Sequence, residues 1–219
     1  MTNFTVTGYS WIPPFAQGLV RDLRVRWALE EAGLPYDTEQ VDLSARKTDG
    51  YLRKQPFGMV PAVAMDGARL FESGAIVQFI AEQSEALMPA AEAARQETIV
   101  WMFAALNTVE PPLNSLLALD LLHSEESWAP LRRPGLVEEV RDRIAAVANR
   151  LEGREFLVGG FTAADILMVA VLRLVRHTDL CTADPVLGPY LERCEGRLAF
   201  RKALETQLAE YEWNAPVGA

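Results

Sequence analysis

Strand-like sequence is confined to the first third of this chain, and that asymmetry constrains the fold more than any other feature. "FTVTGY" (4–9) is short and β-branched, and 36–43 reads as a second strand. "VPAVAM" and "ARLFE" flank Asp66-Gly67, a pair suited to a two-residue type I′ hairpin. Helical patterns separate the strands: 19–33 ends on Gly33 and Pro35, 44–55 is polar and short, and 74–83 follows a serine suited to cap it. The order is strand, helix, strand, helix, strand, strand, helix, which predicts a parallel βαβ crossover with an antiparallel edge.

Beyond residue 83 the pattern changes. Residues 84–92 read as a linker, and 93–219 carry helical periodicity only. Pro111-Pro112 predicts a kink or stop in the first of these helices, and Pro134 predicts the start of another. "TAADILMVAVLRLVRH" (162–177) is apolar on all sides and predicts a central buried helix, with Thr162 and Asp165 at capping-box spacing before it. The expected organisation is an α/β domain over 1–83, a linker over 84–92 and an all-α domain over 93–219.

Charge and cysteine content narrow the function classes. The net charge of −9 argues against a nucleic-acid partner. It is uneven: 1–83 hold 8 basic and 10 acidic side chains (−2), which leaves −7 for the remainder and favours the N-terminal part for an anionic ligand. Cys181 and Cys194 show no CxxC spacing, His123 and His177 are separated, and no metal site is expected. The N-terminal ten residues lack a basic start and an apolar signal core, and no apolar run approaches the ~20 residues of a spanning helix. A soluble cytoplasmic protein with no membrane partner is expected.

The stretch 55–76, "QPFGMVPAVAMDGARLFESGAI", concentrates the binding signals. Pro61 cannot donate to a ladder, so it either starts the strand or, as a cis residue, turns the backbone groups of Val60 outward to pair with an extended peptide. Ser73 suits a helix N-cap, and the same hydroxyl with the first-turn N–H groups suits a carboxylate. Glu72 beside it suits an ammonium group.

On these residues the chain resembles the soluble glutathione transferases. "QPFGMVPAV…LFESGAIVQFIAE" is similar to their glutathione-binding half and "GGFTAADILMVAVL" to the folding motif of their helical half. The resemblance implies a thioredoxin-like N-terminal domain, an all-α C-terminal domain and a homodimer. It implies that Pro61 is cis, that Met59 and Val60 lie at the cysteinyl backbone of glutathione, and that Glu72 and Ser73 meet its γ-glutamyl end. Lys47 occupies a place where many relatives put a basic residue facing the glycyl carboxylate; a solvated surface charge is the other reading. The implied activity is activation of the glutathione thiol for attack on a small hydrophobic electrophile, as in detoxification, or for peroxide reduction. A glutathione-dependent disulfide reductase, or a non-catalytic binding protein for glutathione or hydrophobic ligands, are the alternatives.

Relatives activate the thiol with a Tyr, Ser or Cys after the first strand. Here the loop 9–27 is long, and the matching place falls near Leu19 or Val20, neither of which can donate from its side chain. Tyr9 and Ser10 are the candidate catalytic hydroxyls, with a backbone N–H near Gln17 or Gly18 as competitor. Trp11, Phe15, Phe103 and Asn107 are candidates to line a pocket for the hydrophobic substrate.

Overall fold

The computed structural model describes residues 4–216. The first and last three residues of the expected domains therefore lie outside the described residues. Two compact units form, one running up to Leu87 and resuming at Arg197, the other spanning Met88–Gly196.

In the first unit, four strands pair in the order β2-β1-β3-β4: β1 (Phe4–Tyr9), β2 (Tyr36–Val41), β3 (Ala62–Met65) and β4 (Ala68–Phe71). β1 runs parallel to β2, with Tyr9 opposite Val41, and antiparallel to β3. The β3–β4 hairpin turns through Asp66 and Gly67, both at positive φ (41° and 82°), as a type I′ turn requires. Helix α1 (Asp22–Ala32) makes the crossover and stops at Gly33, which is left-handed. The segment after β2 holds a 3₁₀ turn (Ala45–Lys47) and the short α2 (Asp49–Leu52); α3 (Ser73–Ala81) closes the motif.

The second unit is helical among its described residues. It contains α4 (Glu92–Phe103), α5 (Glu110–Leu122), α6 (Ala129–Leu151), α7 (Ala163–Leu172) and α8 (Leu187–Glu195). Two expectations from proline are corrected. Pro111 and Pro112 do not stop the chain: it widens into a π-helical segment, Ala104–Val109, and α5 begins just ahead of them. Neither proline has an N–H, so Asn107 O has no donor at i+4 or i+5, and a wider turn relieves the clash of the rings with the preceding carbonyls. Pro134 lies inside α6, because Pro130 at the second helical position already starts it.

Nine of the ten residues of α7 are buried, as the all-round apolar pattern predicts. Its capping box is formed: Asp165 Oδ2 accepts from the Thr162 N–H (2.9 Å) and hydroxyl (3.2 Å). Asp165 Oδ1 also accepts from Leu157 N–H (3.0 Å) and the Tyr190 hydroxyl (2.9 Å), so this buried carboxylate serves structure. Thr162→Ala is expected to lower unfolding stability by about 1–2 kcal/mol in urea titration. An unchanged midpoint would remove the cap from the list of stabilising contacts.

The last helix, α9 (Leu198–Trp213), departs from the expected domain organisation. It packs on α1 and belongs to the first unit. A buried polar network explains the attachment. Arg26 spans Glu210 with two bonds (3.0 and 2.7 Å) and holds Asp22 at 2.9 Å, while Gln207 Nε2 donates to Asp22 at 2.8 Å. Burial alone would lower the Arg26 pKa; the facing carboxylates of Asp22 and Glu210 more than reverse this and raise it. Burial pushes the Asp22 carboxyl up, against the opposing pull of Arg26 and Gln207. Gly8 on β1 admits the network: a Cβ there would stand 2.9 Å from Asp22 Oδ2.

Candidate functional site

The loop before β3 is built from inside. The buried amide of Gln55 accepts through Oε1 from the N–H groups of Phe57 (2.7 Å) and Met59 (3.2 Å). The Tyr51 hydroxyl donates to the Met59 carbonyl at 2.6 Å. Gly58 sits at φ 64°, where a Cβ would meet Arg46 O at 2.7 Å and Lys47 Cδ at 3.5 Å. The loop thus packs against the 3₁₀ turn that carries Lys47, whose side chain is exposed.

The Val60–Pro61 peptide is cis. Val60 precedes the first paired residue of β3, and among the described residues no hydrogen bond uses its N–H or C=O. Backbone groups in a buried setting require partners. A short extended peptide laid along this corner would supply them.

Ser73 is buried and opens α3 as its first helical residue; the cap position belongs to Glu72, whose side chain makes no cap bond. This corrects the expectation that Ser73 is the cap. Its hydroxyl oxygen accepts from Arg24 Nη1 at 3.3 Å instead, which leaves its own proton available to a ligand carboxylate. The first N–H groups of α3 point the same way by helix geometry. Glu72 is exposed and held at φ 68°, ψ 110°, a conformation that costs a non-glycine residue about 1–3 kcal/mol.

At the end of β1, Tyr9, Ile12, Tyr51, Val60 and Tyr211 form one buried cluster, with Trp11 packed against it. Among the described residues the Tyr9 hydroxyl makes no hydrogen bond to the protein, although its backbone lies in the β1–β2 ladder. Ser10 differs. Its N–H donates to Val41 O (3.0 Å), and its hydroxyl donates to the Asp42 carboxylate. The parallel register puts Asp42 beside Ser10, so the single Ser10 proton is already committed. Phe15 lies in a 3₁₀ turn (Pro14–Ala16) and is half-exposed. Phe103 and Asn107 are exposed residues of the second unit, at the end of α4 and in the π-helical segment.

Both cysteines are free and buried in the second unit, and burial pushes the Cys181 thiol up to about 12. Among the described residues no cluster of His, Cys, Asp or Glu could hold a metal ion, and no helix is long and apolar enough to cross a membrane.

Sequence reasoning missed Gln55, Tyr51, Arg24, Asp42 and Tyr211. Asp42 was reachable by extending the parallel register one residue past Tyr9 and Val41. Arg24 and Tyr211 carry no local signal, because each acts on residues distant in sequence; Gln55 and Tyr51 act within eight residues, but by folding the loop back on itself rather than through any periodic pattern.

Residues 10–82 match the glutathione S-transferase N-terminal domain. The chain is 29% identical over 191 residues to a maleylacetoacetate isomerase of Rhizobium meliloti, covering 82% of this chain and 89% of that protein. It is 30% identical over 157 residues to glutathione S-transferase F9 of Arabidopsis thaliana, covering 69% of this chain and 72% of the relative. Among solved structures, poplar glutathione transferase F1 superposes with a TM-score of 0.81 at 25% identity, covering 95% of this chain and 100% of that one.

Proposed function

This chain belongs to the glutathione transferase family and is a glutathione transferase; from that premise we propose that its first unit binds glutathione along the Val60 corner and that Tyr9 activates the thiol. The presence of Tyr9 and Val60 in one buried cluster carries this reading. It sets the phenol beside the backbone groups suited to the cysteinyl residue, so a sulfur held there lies near the one strand-end hydroxyl with no protein partner.

Each part of the ligand then has a matching group. Val60 N–H and C=O pair with the cysteinyl backbone. The Ser73 hydroxyl and the start of α3 receive the γ-glutamyl carboxylate, with Arg24 behind them adding positive charge. Glu72 receives the ammonium, and Lys47 faces the glycyl carboxylate. Tyr9 O–H donates to sulfur. A thiol of pKa about 8.5 lowered by two units needs about 2.7 kcal/mol of preferential thiolate stabilisation, within reach of a directed donor in a dry site. Trp11 and Phe15 offer apolar surface for a small hydrophobic electrophile. Buried free thiols accord with a reducing, cytoplasmic setting. Homodimerisation is part of the proposal: Phe57, 64% exposed, stacks edge-on against Phe71 at 6.1 Å and forms an apolar surface suited to a second copy.

Titrating glutathione while following the ultraviolet absorbance of its thiolate tests the reading. A bound thiol that ionises well below its free value is expected; saturation without a shift would leave a binding protein and remove the enzyme mechanism. Ser73→Ala is expected to weaken glutathione about tenfold, the value of one charge-assisted hydrogen bond, with little effect on unfolding. Equal affinity in the variant would take Ser73 out of the site.

A further inference from the structure

We propose that Gly58 is a specificity-determining residue: having no side chain, it lets the 3₁₀ turn that carries Lys47 close against the Val60 loop, and that spacing selects a tripeptide thiol over one that lacks the glycyl residue. The inference rests on the assignment of Val60 to the cysteinyl backbone and of Lys47 to the glycyl carboxylate.

The chain between these two positions is tied along its length. Thr48 N–H donates to Ala45 O (3.0 Å), Leu52 N–H to Thr48 O (2.9 Å), Gln55 N–H to Tyr51 O (3.0 Å) and Gly58 N–H to Gln55 O (3.0 Å). The circuit then closes on itself. Gly58 is buried, and a Cβ there would stand 2.7 Å from Arg46 O, 3.5 Å from Lys47 Cδ and 3.5 Å from Leu52 Cδ2. A Cβ cannot stay that close to a carbonyl oxygen, so any side chain at this position forces the turn and the loop apart.

The anchoring decides which side gives. Met59, next in the chain, has both backbone groups held from inside: Gln55 Oε1 accepts from its N–H (3.2 Å), and the Tyr51 hydroxyl donates to its C=O (2.6 Å). Gln55 and Tyr51 are 3% and 6% exposed, so moving the loop would strand buried polar groups. The turn Ala45–Lys47 has no buried residue. A side chain at position 58 therefore displaces the turn, and Lys47 with it, while Val60 keeps its place.

That displacement bears on one part of the ligand. Glutathione and γ-glutamylcysteine share the γ-glutamyl and cysteinyl groups that Ser73, Glu72 and Val60 would hold. They differ by the glycyl residue, whose carboxylate is the group assigned to Lys47. Gly58 thus acts on the difference between the two thiols and not on what they have in common.

The test is calorimetric titration of the full chain and of Gly58→Ala with each reduced thiol. The unaltered chain is expected to bind glutathione about tenfold more tightly than γ-glutamylcysteine, the value of one charge-assisted hydrogen bond. Gly58→Ala is expected to bring the two affinities within about twofold of each other, by weakening glutathione alone. Its thermal midpoint should also fall, because alanine is strained at φ 64°, so the affinity ratio is the readout. An unaltered chain without the preference, a preference retained in Gly58→Ala, or an equal loss for both thiols would each overturn the proposal. Gly58→Asn carries the same Cβ but tolerates the left-handed backbone, and it should give the same ratio if the alanine variant does not fold. A preference retained there overturns the proposal as well.

Lys47→Gln separates the inference from the reading beneath it. Preference lost in Lys47→Gln but kept in Gly58→Ala would sink the inference and leave the Lys47 assignment standing. Preference kept in Lys47→Gln would sink that assignment and the inference with it. In the double variant the two losses should not add, because position 58 acts through Lys47. An unaltered chain that binds neither thiol would instead sink the glutathione site itself.

Discussion

Tyr9→Phe is expected to lower turnover at saturating glutathione about a hundredfold, the usual effect of removing one directed donor from a developing anion. The ring stays in its buried cluster, so folding should hold and glutathione affinity should change little. The loss should therefore fall on kcat, with the pH–rate profile displaced toward the pKa of free glutathione. Ser10→Ala is the companion measurement. Its hydroxyl is spent on Asp42, so turnover should stay close to that of the unaltered enzyme. The reverse pattern, with Ser10 essential and Tyr9 dispensable, would move the donor to the loop. Loss in neither variant would move it to the backbone near Gln17 and Gly18.

The largest stability effect is expected at Arg26. It is fully buried and is the shared partner of two carboxyl groups, Asp22 and Glu210. Arg26→Met keeps most of the volume but leaves both carboxyls without their cation. Breaking one side of a buried ion pair costs about 3–5 kcal/mol. For a chain of this size that is roughly a 10 °C fall in thermal midpoint. Replacing Asp22, Arg26 and Glu210 together by apolar residues should recover most of the loss, because the penalty comes from the abandoned charges. A single variant as stable as the parent would mean that water reaches the network and that α9 is held by its apolar contacts instead. The same variant should also disturb the placement of Tyr211, which follows Glu210 on α9.

The elements most legible in the sequence were those whose signals are local. Asp66-Gly67 named its own turn, the β-branched run 4–9 its own strand, and Thr162 with Asp165 its own cap. The 55–76 stretch was legible as a binding corner because cis proline, serine and the helix start lie within a few residues. Prolines misled where one signal masked another: Pro130 starts α6, and Pro134 merely rides inside it. The Ser73 expectation failed at its finest point, because Arg24, 49 residues away, draws the hydroxyl into its own hydrogen bond. Nothing local says that α9 returns to the first unit. Its pairing with α1 rests on Arg26 meeting Glu210 across 184 positions, and periodicity carries no such information.

That returning helix has a consequence for synthesis. The unit bearing the proposed glutathione site is interrupted by the entire helical unit, so the ribosome delivers its two pieces far apart in time. The emerging N-terminal segment holds a bare guanidinium and an unfilled face on α1 until α9 has been made. The helical unit, encoded without interruption, can mature first, and the first unit is completed only once α9 has emerged.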